Sequence, residues 1–204
     1  MARPKKKPSE RPHRADRQGE KSLYSLEVTL ISGPITEEFI EKNPDVARTI
    51  QIRGDQTLEQ LHDSIYRAFD RDDEHLYEFQ FGNQPMDPTG ARYGIPDDRD
   101  MGMGMGMGFG GKVPLTEPAD RTSIDSLGLT LGVTFFYWFD FGDDWWHRIK
   151  VKAIADESEP GTFPKLIDRV GNSPPQYPNM DDDEYGEDED EDEDDDESEE
   201  IEEV

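Results

Sequence analysis

Residues 134–151 read Thr134-Phe-Phe-Tyr-Trp-Phe-Asp-Phe-Gly-Asp-Asp-Trp-Trp-His-Arg-Ile-Lys-Val151, and the reading of this stretch decides the fold. Two runs rich in aromatic and β-branched residues, 134–141 and 145–155, are split by Gly142-Asp143-Asp144, a polar break of the kind that reverses a chain. A hairpin is predicted. With a two-residue turn, at Gly142-Asp143 or at Asp143-Asp144, Asp140 shares a sheet face with His147, directly opposite or one diagonal step away. Trp138, Trp145 and Ile149 fall on that same face, whereas Arg148, Lys150 and Lys152 point the other way. Alternation also places Trp145 and Trp146 on opposite sides, and an exposed tryptophan there marks a contact surface. An imidazole beside a carboxylate suits a general base or a metal ligand. It equally suits a structural hydrogen bond, and that reading is preferred, because polar groups buried beside tryptophan need partners whatever the function.

Working outward, 23–32 alternates around Leu26, Val28 and Leu30 and reads as a strand ended by Gly33-Pro34. A helical turn is predicted from Thr36 to Lys42, then a second strand at 47–53. The clearest helix is 58–70: Thr57 and Gln60 form a capping box, and Leu58, Leu61, Ile65 and Phe69 share one apolar face, with His62 at its border. A third strand follows at 76–81. Residues 83–121 read as irregular, with Met-Gly repeats at 101–108 that suggest a flexible loop over about 97–112. A short helix is predicted at Thr122-Ser-Ile-Asp125, ending at Gly128. This order predicts an α+β fold: a mixed sheet of about five strands with one main helix in a β-grasp, ubiquitin-like arrangement, plus a C-terminal hairpin strand. The first strand and 134–141 then lie parallel in the middle of the sheet.

The chain has 204 residues, a net charge of −27 and no cysteine, which excludes disulfides, thiolate metal sites and a cysteine nucleophile. The charge is unevenly spread. Residues 1–21 carry eight basic and three acidic side chains, and 181–204 carry nineteen acidic and no basic ones; both ends are expected to be disordered, flanking one domain at 22–180. No apolar run approaches the roughly 18 residues of a membrane helix, and the first residues lack a secretory core, so the expected compartment is the cytoplasm. The acidic balance argues against nucleic-acid binding by the core. The acidic tail suits solubilisation, folding back onto the basic arm, or docking to a basic protein partner.

Leu61-His62 with Ile65, His75-Leu76 with Phe79, and Tyr137-Trp-Phe-Asp140-Phe-Gly-Asp143-Asp-Trp-Trp-His147 with Ile149 together resemble the plasmid pRiA4b ORF-three-like family, over about Leu26 to Tyr177. The resemblance implies a single α+β domain of plasmid or insertion-element origin, sometimes labelled resolvase-like, with no agreed activity. Phe139 replaces a tyrosine of the pattern, and Gly171-Asn-Ser-Pro-Pro-Gln-Tyr177 lacks the cysteine and Glu-Asp pair usual there. A recombinase needs an activated serine amid arginines and a basic DNA-binding region, and neither is legible.

Carried over by position, the motif's polar residues are His62, His75, Asp140, Asp143 and His147. Of these, His62, His75, His147 and Asp140 have the donor types for a divalent metal, provided that the fold gathers them. No other cofactor is implied, since the chain has no phosphate loop or dinucleotide fingerprint. Three functions are weighed. The first is a non-enzymatic interaction domain using the aromatic residues Trp138, Trp145 and Trp146. The second is a metal-binding protein or metal-dependent hydrolase built on the four named residues, and the third a polyanionic chaperone or mimic for basic partners. The first is preferred.

Overall fold

The computed structural model describes residues 22–95, 116–156 and 160–178; the basic arm, the Met-Gly loop and the acidic tail lie outside them. The hairpin forms from β6 (Thr134–Phe139) and β7 (Trp145–Asp156). β1 (Ser22–Ser32), β2 (Ala47–Arg53), β3 (Tyr77–Phe81), β4 (Ala91–Gly94), β5 (Thr116–Pro118) and β8 (Lys165–Val170) complete one eight-stranded sheet, ordered β5-β4-β3-β6-β7-β1-β2-β8. Two α-helices accompany it, α1 (Glu37–Lys42) and α2 (Leu58–Ala68). None of the described helices is long and apolar enough to cross a membrane.

This sheet corrects the five-strand β-grasp expectation, although α+β holds as the coarse class. β1 does not pair with β6. The whole of β7 lies between them, antiparallel to both, and the β4–β5 pair is the parallel one. The physical reason is length and pattern. β7 runs for twelve residues and buries Trp145, His147, Ile149 and Val151 on one face, so it can pair with β6 on one side and along β1 on the other. Three further strands escaped the pattern. β4 and β5 are only four and three residues long, within the stretch read as irregular. β8 is an edge strand in which Leu166 alone is partly buried among exposed residues, so no alternation is visible.

The hairpin closure differs too. Residues 140–144 form a five-residue loop, in which the Asp144 N–H donates to the Asp140 carbonyl at 2.8 Å. Asp140 and Asp144 both adopt φ of 55°, a left-handed conformation that aspartate tolerates better than most residues. Cross-strand partners are therefore Phe139 with Trp145, Tyr137 with His147 and Trp138 with Trp146. Asp140 ends the strand rather than facing His147, and Trp138 lies on the opposite face from His147; Trp145 and Ile149 share the face of His147 as expected.

α2 packs on the face of the sheet that carries the core: Leu58, Leu61, Ile65 and Ala68 meet Tyr24, Leu26, Ile50, Phe79, Phe135 and Ile149. Its predicted capping box is present, with Gln60 N–H donating to Thr57 Oγ1 and Thr57 N–H to Gln60 Oε1. The short helix expected at 122–128 is one 3₁₀ turn, Asp125–Leu127, stopped by Gly128 at φ 62°. Its Asp125 carboxylate accepts the Tyr24 hydroxyl at 2.7 Å instead of capping the turn.

A buried arginine joins the ends of these elements. Arg48, 1% exposed on β2, donates from Nε to the Ala68 carbonyl at the end of α2. From Nη1 it donates to Val170 and Gly171 carbonyls, and from Nη2 to Ser173 Oγ. It thereby anchors the segment 172–178, which crosses back over the end of the hairpin.

Gly33, just past β1, lies so close to the Trp145 indole that an added Cβ would overlap the ring carbons. Gly33→Ala is expected to cost about 1–3 kcal/mol by overpacking, read as a lower urea midpoint at unchanged slope.

Candidate functional site at the closed end of the hairpin

The core face of the sheet holds an unusual share of polar groups near the hairpin end. His62, at the border of the apolar face of α2, is carried inward and lies parallel on the Tyr77 ring, with centroids 3.6 Å apart and planes 7° from parallel. Its Nδ1 is 2.7 Å from the Tyr137 hydroxyl. With so little water around it, the charged form is disfavoured and burial lowers its pKa to about 4. The same burial raises the phenol pKa of both Tyr77 and Tyr137.

His147 stands across the strand pair from Tyr137, 5.4 Å between ring centroids, with Phe69 edge-on at 4.6 Å. It is 1% exposed, and neither ring nitrogen makes a well-aligned hydrogen bond, the Tyr137 and Trp145 backbone lying beside the ring. Burial first, and then the nearby Arg71 cation, lower its pKa to about 3, against a small opposing pull from the Tyr137 and Trp145 backbone. Arg71 follows Asp70, whose φ of 53° turns the chain beyond α2. The Arg71 guanidinium sits over the Trp145 ring with its carbon 3.6 Å from the ring centroid.

At the rim the carboxylate meets a different imidazole from the one expected. Asp140 Oδ1 accepts the backbone N–H groups of Gly142 and Asp143, and Oδ2 lies 3.4 Å from His75 Nε2. His75 Nε2 is also 2.8 Å from the Tyr177 hydroxyl. Gln176 pins the same segment, accepting the Asp72 and Asp73 N–H groups and donating to the Asp73 carbonyl. The predicted polar residues thus gather at one end of the molecule but divide into three environments. His62 is bound to Tyr137, His147 is enclosed without a well-aligned hydrogen bond, and His75 with Asp140 is on the rim. Asp143 enters through its backbone and keeps a half-buried side chain. Among the described residues, no group of three or more His, Asp or Glu side chains is arranged to hold a metal ion.

Among the described residues no α-helix packs on the other face of the hairpin, which presents aromatics. Trp138 is stacked between Phe141, at 4.1 Å and 25°, and Trp146, at 5.0 Å and 6°. Its indole N–H donates to Asp144 Oδ1 at 2.8 Å, which holds the ring over the loop. Trp145 and Trp146 do point to opposite faces, yet both are buried, at 0% and 8% exposure. The outermost ring is Phe141, at 41%.

Sequence reasoning missed Tyr77, Arg71, Gln176 and Tyr177. Tyr177 closes a Pro-Pro-Gln-Tyr run, a visible if unspecific signal. Nothing in the sequence separates Arg71 from the surface arginines, because only the turn after α2 brings it under residues 172–178.

Comparison with known proteins agrees with this architecture. A family model described as plasmid pRiA4b ORF-3-like protein matches residues 35–203. An uncharacterized protein, y4hQ of Sinorhizobium fredii (strain NBRC 101917 / NGR234), is 29% identical over 160 residues, covering 76% of this chain and 66% of its own length. The chain therefore spans just under two thirds of that relative. The crystal structure of a protein of unknown function, MM3350 from Methanosarcina mazei Go1, superposes with a TM-score of 0.57 at 22% identity, covering 77% of this chain and 74% of the other, and shares the fold.

The two depressed histidines set a pH window. Both are neutral in the folded and unfolded chain above about pH 7; below the ordinary pKa near 6.5 only the unfolded chain takes up the protons readily, so stability falls toward pH 4. Urea unfolding across pH 4–8 is expected to show this decline, and His62→Gln to make it shallower by up to about 1.4 kcal/mol per pH unit, one proton's worth.

Proposed function

The chain belongs to the plasmid pRiA4b ORF-3-like protein family, and for this member we propose a non-catalytic binding module that takes an acidic polypeptide segment on the outer face of its β6–β7 hairpin. The observation that carries this reading is the column Phe141–Trp138–Trp146, three rings stacked on the sheet face away from α2 and opening to solvent at Phe141. Rigid aromatic rings supply large contact area with little side-chain entropy to lose, which is why such clusters anchor protein contacts.

Charge favours an acidic occupant. Arg148, Lys150 and Lys152 line the same face of β7, all exposed. Lys152 is paired with Glu27 at 3.1 Å, and Arg148 and Lys150 extend the cationic row toward the aromatic column. On this face the three cations of β7 stand against two carboxylates, Glu27 on Lys152 and Asp144 on the Trp138 indole, which leaves Arg148 and Lys150 without an ion pair among the described residues. His62 and His147 are kept uncharged and shut from water, a poor position for exchanging protons with a substrate. The expectation that the acidic tail docks to a basic protein concerns residues 181–204, outside the described residues.

A fluorescein-labelled peptide of Glu-Glu-Tyr repeats, titrated against the full chain, tests the surface. Salt-dependent binding is expected, weakened about tenfold by Trp138→Ala and comparably by Arg148→Glu, and unchanged by Ile40→Ala on α1. No binding, or equal affinity in all four proteins, rejects the surface.

A further inference from the structure

Arg71 is a buried cation without a counter-charge in contact. It is 6% exposed, and among the described residues its one hydrogen bond is from Nη1 to the Pro174 carbonyl at 3.3 Å. The two carboxylates whose charge acts on it are committed elsewhere, Asp70 to Arg169 and Ser173, Asp140 to His75 and the loop amides. Enclosing an uncompensated guanidinium is costly, and buried donors in folded proteins almost always find an acceptor.

Three enclosed side chains share this deficit. Arg71 Nε and Nη2 and Trp145 Nε1 make no hydrogen bond, and the ring nitrogens of His147 have only poorly aligned backbone of Tyr137 and Trp145 beside them. Arg71 lies on the Trp145 ring, and Trp145 and His147 are neighbours but one on β7, with side chains on the same face. The open pair on Arg71 is informative in itself. Nε and Nη2 form the side edge of the guanidinium, two parallel N–H groups spaced to take both oxygens of one oxyanion. Trp145 and the neutral His147 add N–H donors, so the unmet capacity is for an acceptor with several lone pairs. One cation, with Asp140 close by, matches a single negative charge better than a doubly charged group.

We propose that Arg71, Trp145 and His147 form the floor of a binding site for a small monocarboxylate, held side-on by Nε and Nη2 of Arg71 beneath residues 172–178. The ligand enters when that segment lifts. It is fastened at this end by hydrogen bonds through Ser173, Pro174, Gln176 and Tyr177, with Pro174 buried and Pro174, Pro175 and Pro178 facing Ile35 and Phe39 across a shared cavity. The site lies on the face of the sheet opposite the Trp138 column and stands independently of the function proposed for that column.

The test is a titration of the full chain with sodium acetate at constant ionic strength, balanced with chloride, followed by the NMR resonances of the three indole N–H groups and by the melting temperature. One indole resonance, absent in Trp145→Phe, is expected to shift saturably, and the melting temperature to rise with acetate but not with chloride. Arg71→Lys keeps the charge but loses the fork, and is expected to bind about tenfold more weakly. Arg71→Met removes the charge while filling the space; it is expected to fold and to show no acetate dependence. A Trp145 resonance that stays fixed throughout, or an acetate response retained in Arg71→Met, overturns the site. Equal shifts with phosphate overturn its assignment to a monocarboxylate.

Discussion

Much of this molecule depends on how five residues, Asp140 to Asp144, close the hairpin. A two-residue turn and a five-residue loop differ by an odd number of positions, and in a strand an odd shift transfers every side chain to the other face. With Asp140 and Asp144 both left-handed and the Asp144 amide bonded back to the Asp140 carbonyl, Tyr137 is set opposite His147. That register sends Trp145, His147, Ile149 and Val151 into the core, and Trp138, Trp146 and Arg148 to the other side. The Asp140 carboxylate stabilises the loop through the Gly142 and Asp143 amides, and its second oxygen remains for His75.

The interior built on that register is polar for a core. Among the described residues two imidazoles, three phenols and three guanidiniums are buried, and they are not equally satisfied. Arg48 spends its donors on the carbonyls at the ends of α2 and β8, where it replaces the intrahelical and ladder bonds those termini lack. His62 and Tyr137 satisfy one another. Arg71, Trp145 and His147 do not, and a protein that gains so much from burying β7 can carry that deficit when an acceptor completes the group.

Both faces of the sheet are used at the same end. Along β7 successive side chains alternate between the enclosed donors and the aromatic and cationic outer face, so one strand serves two environments through its pleat. The segment 172–178 ties this end to the far edge of the sheet through Arg48, which reaches Ser173 and the last residues of β8 together.

Local interactions determined what was legible in the amino-acid order. The capping box of α2, its apolar stripe, the strands β1, β2, β3, β6 and β7 and the motif-based family assignment all rest on residues a few positions apart, whose spacing is visible in one dimension. The polar motif residues His62, His75, Asp140 and His147 were visible for the same reason. What only the tertiary structure decided was pairing: which strand lies beside β1, which imidazole meets Asp140, and which short strands extend the sheet. β4, β5 and β8 exist because longer neighbours offer them an edge, not because their own sequences alternate. The loop type was settled by left-handed aspartates that no hydrophobic period records, and Arg71 acquired its place from a chain reversal and from residues 100 positions away. Such contacts depend on backbone conformation and long-range closure, and the periodicity of a sequence carries neither.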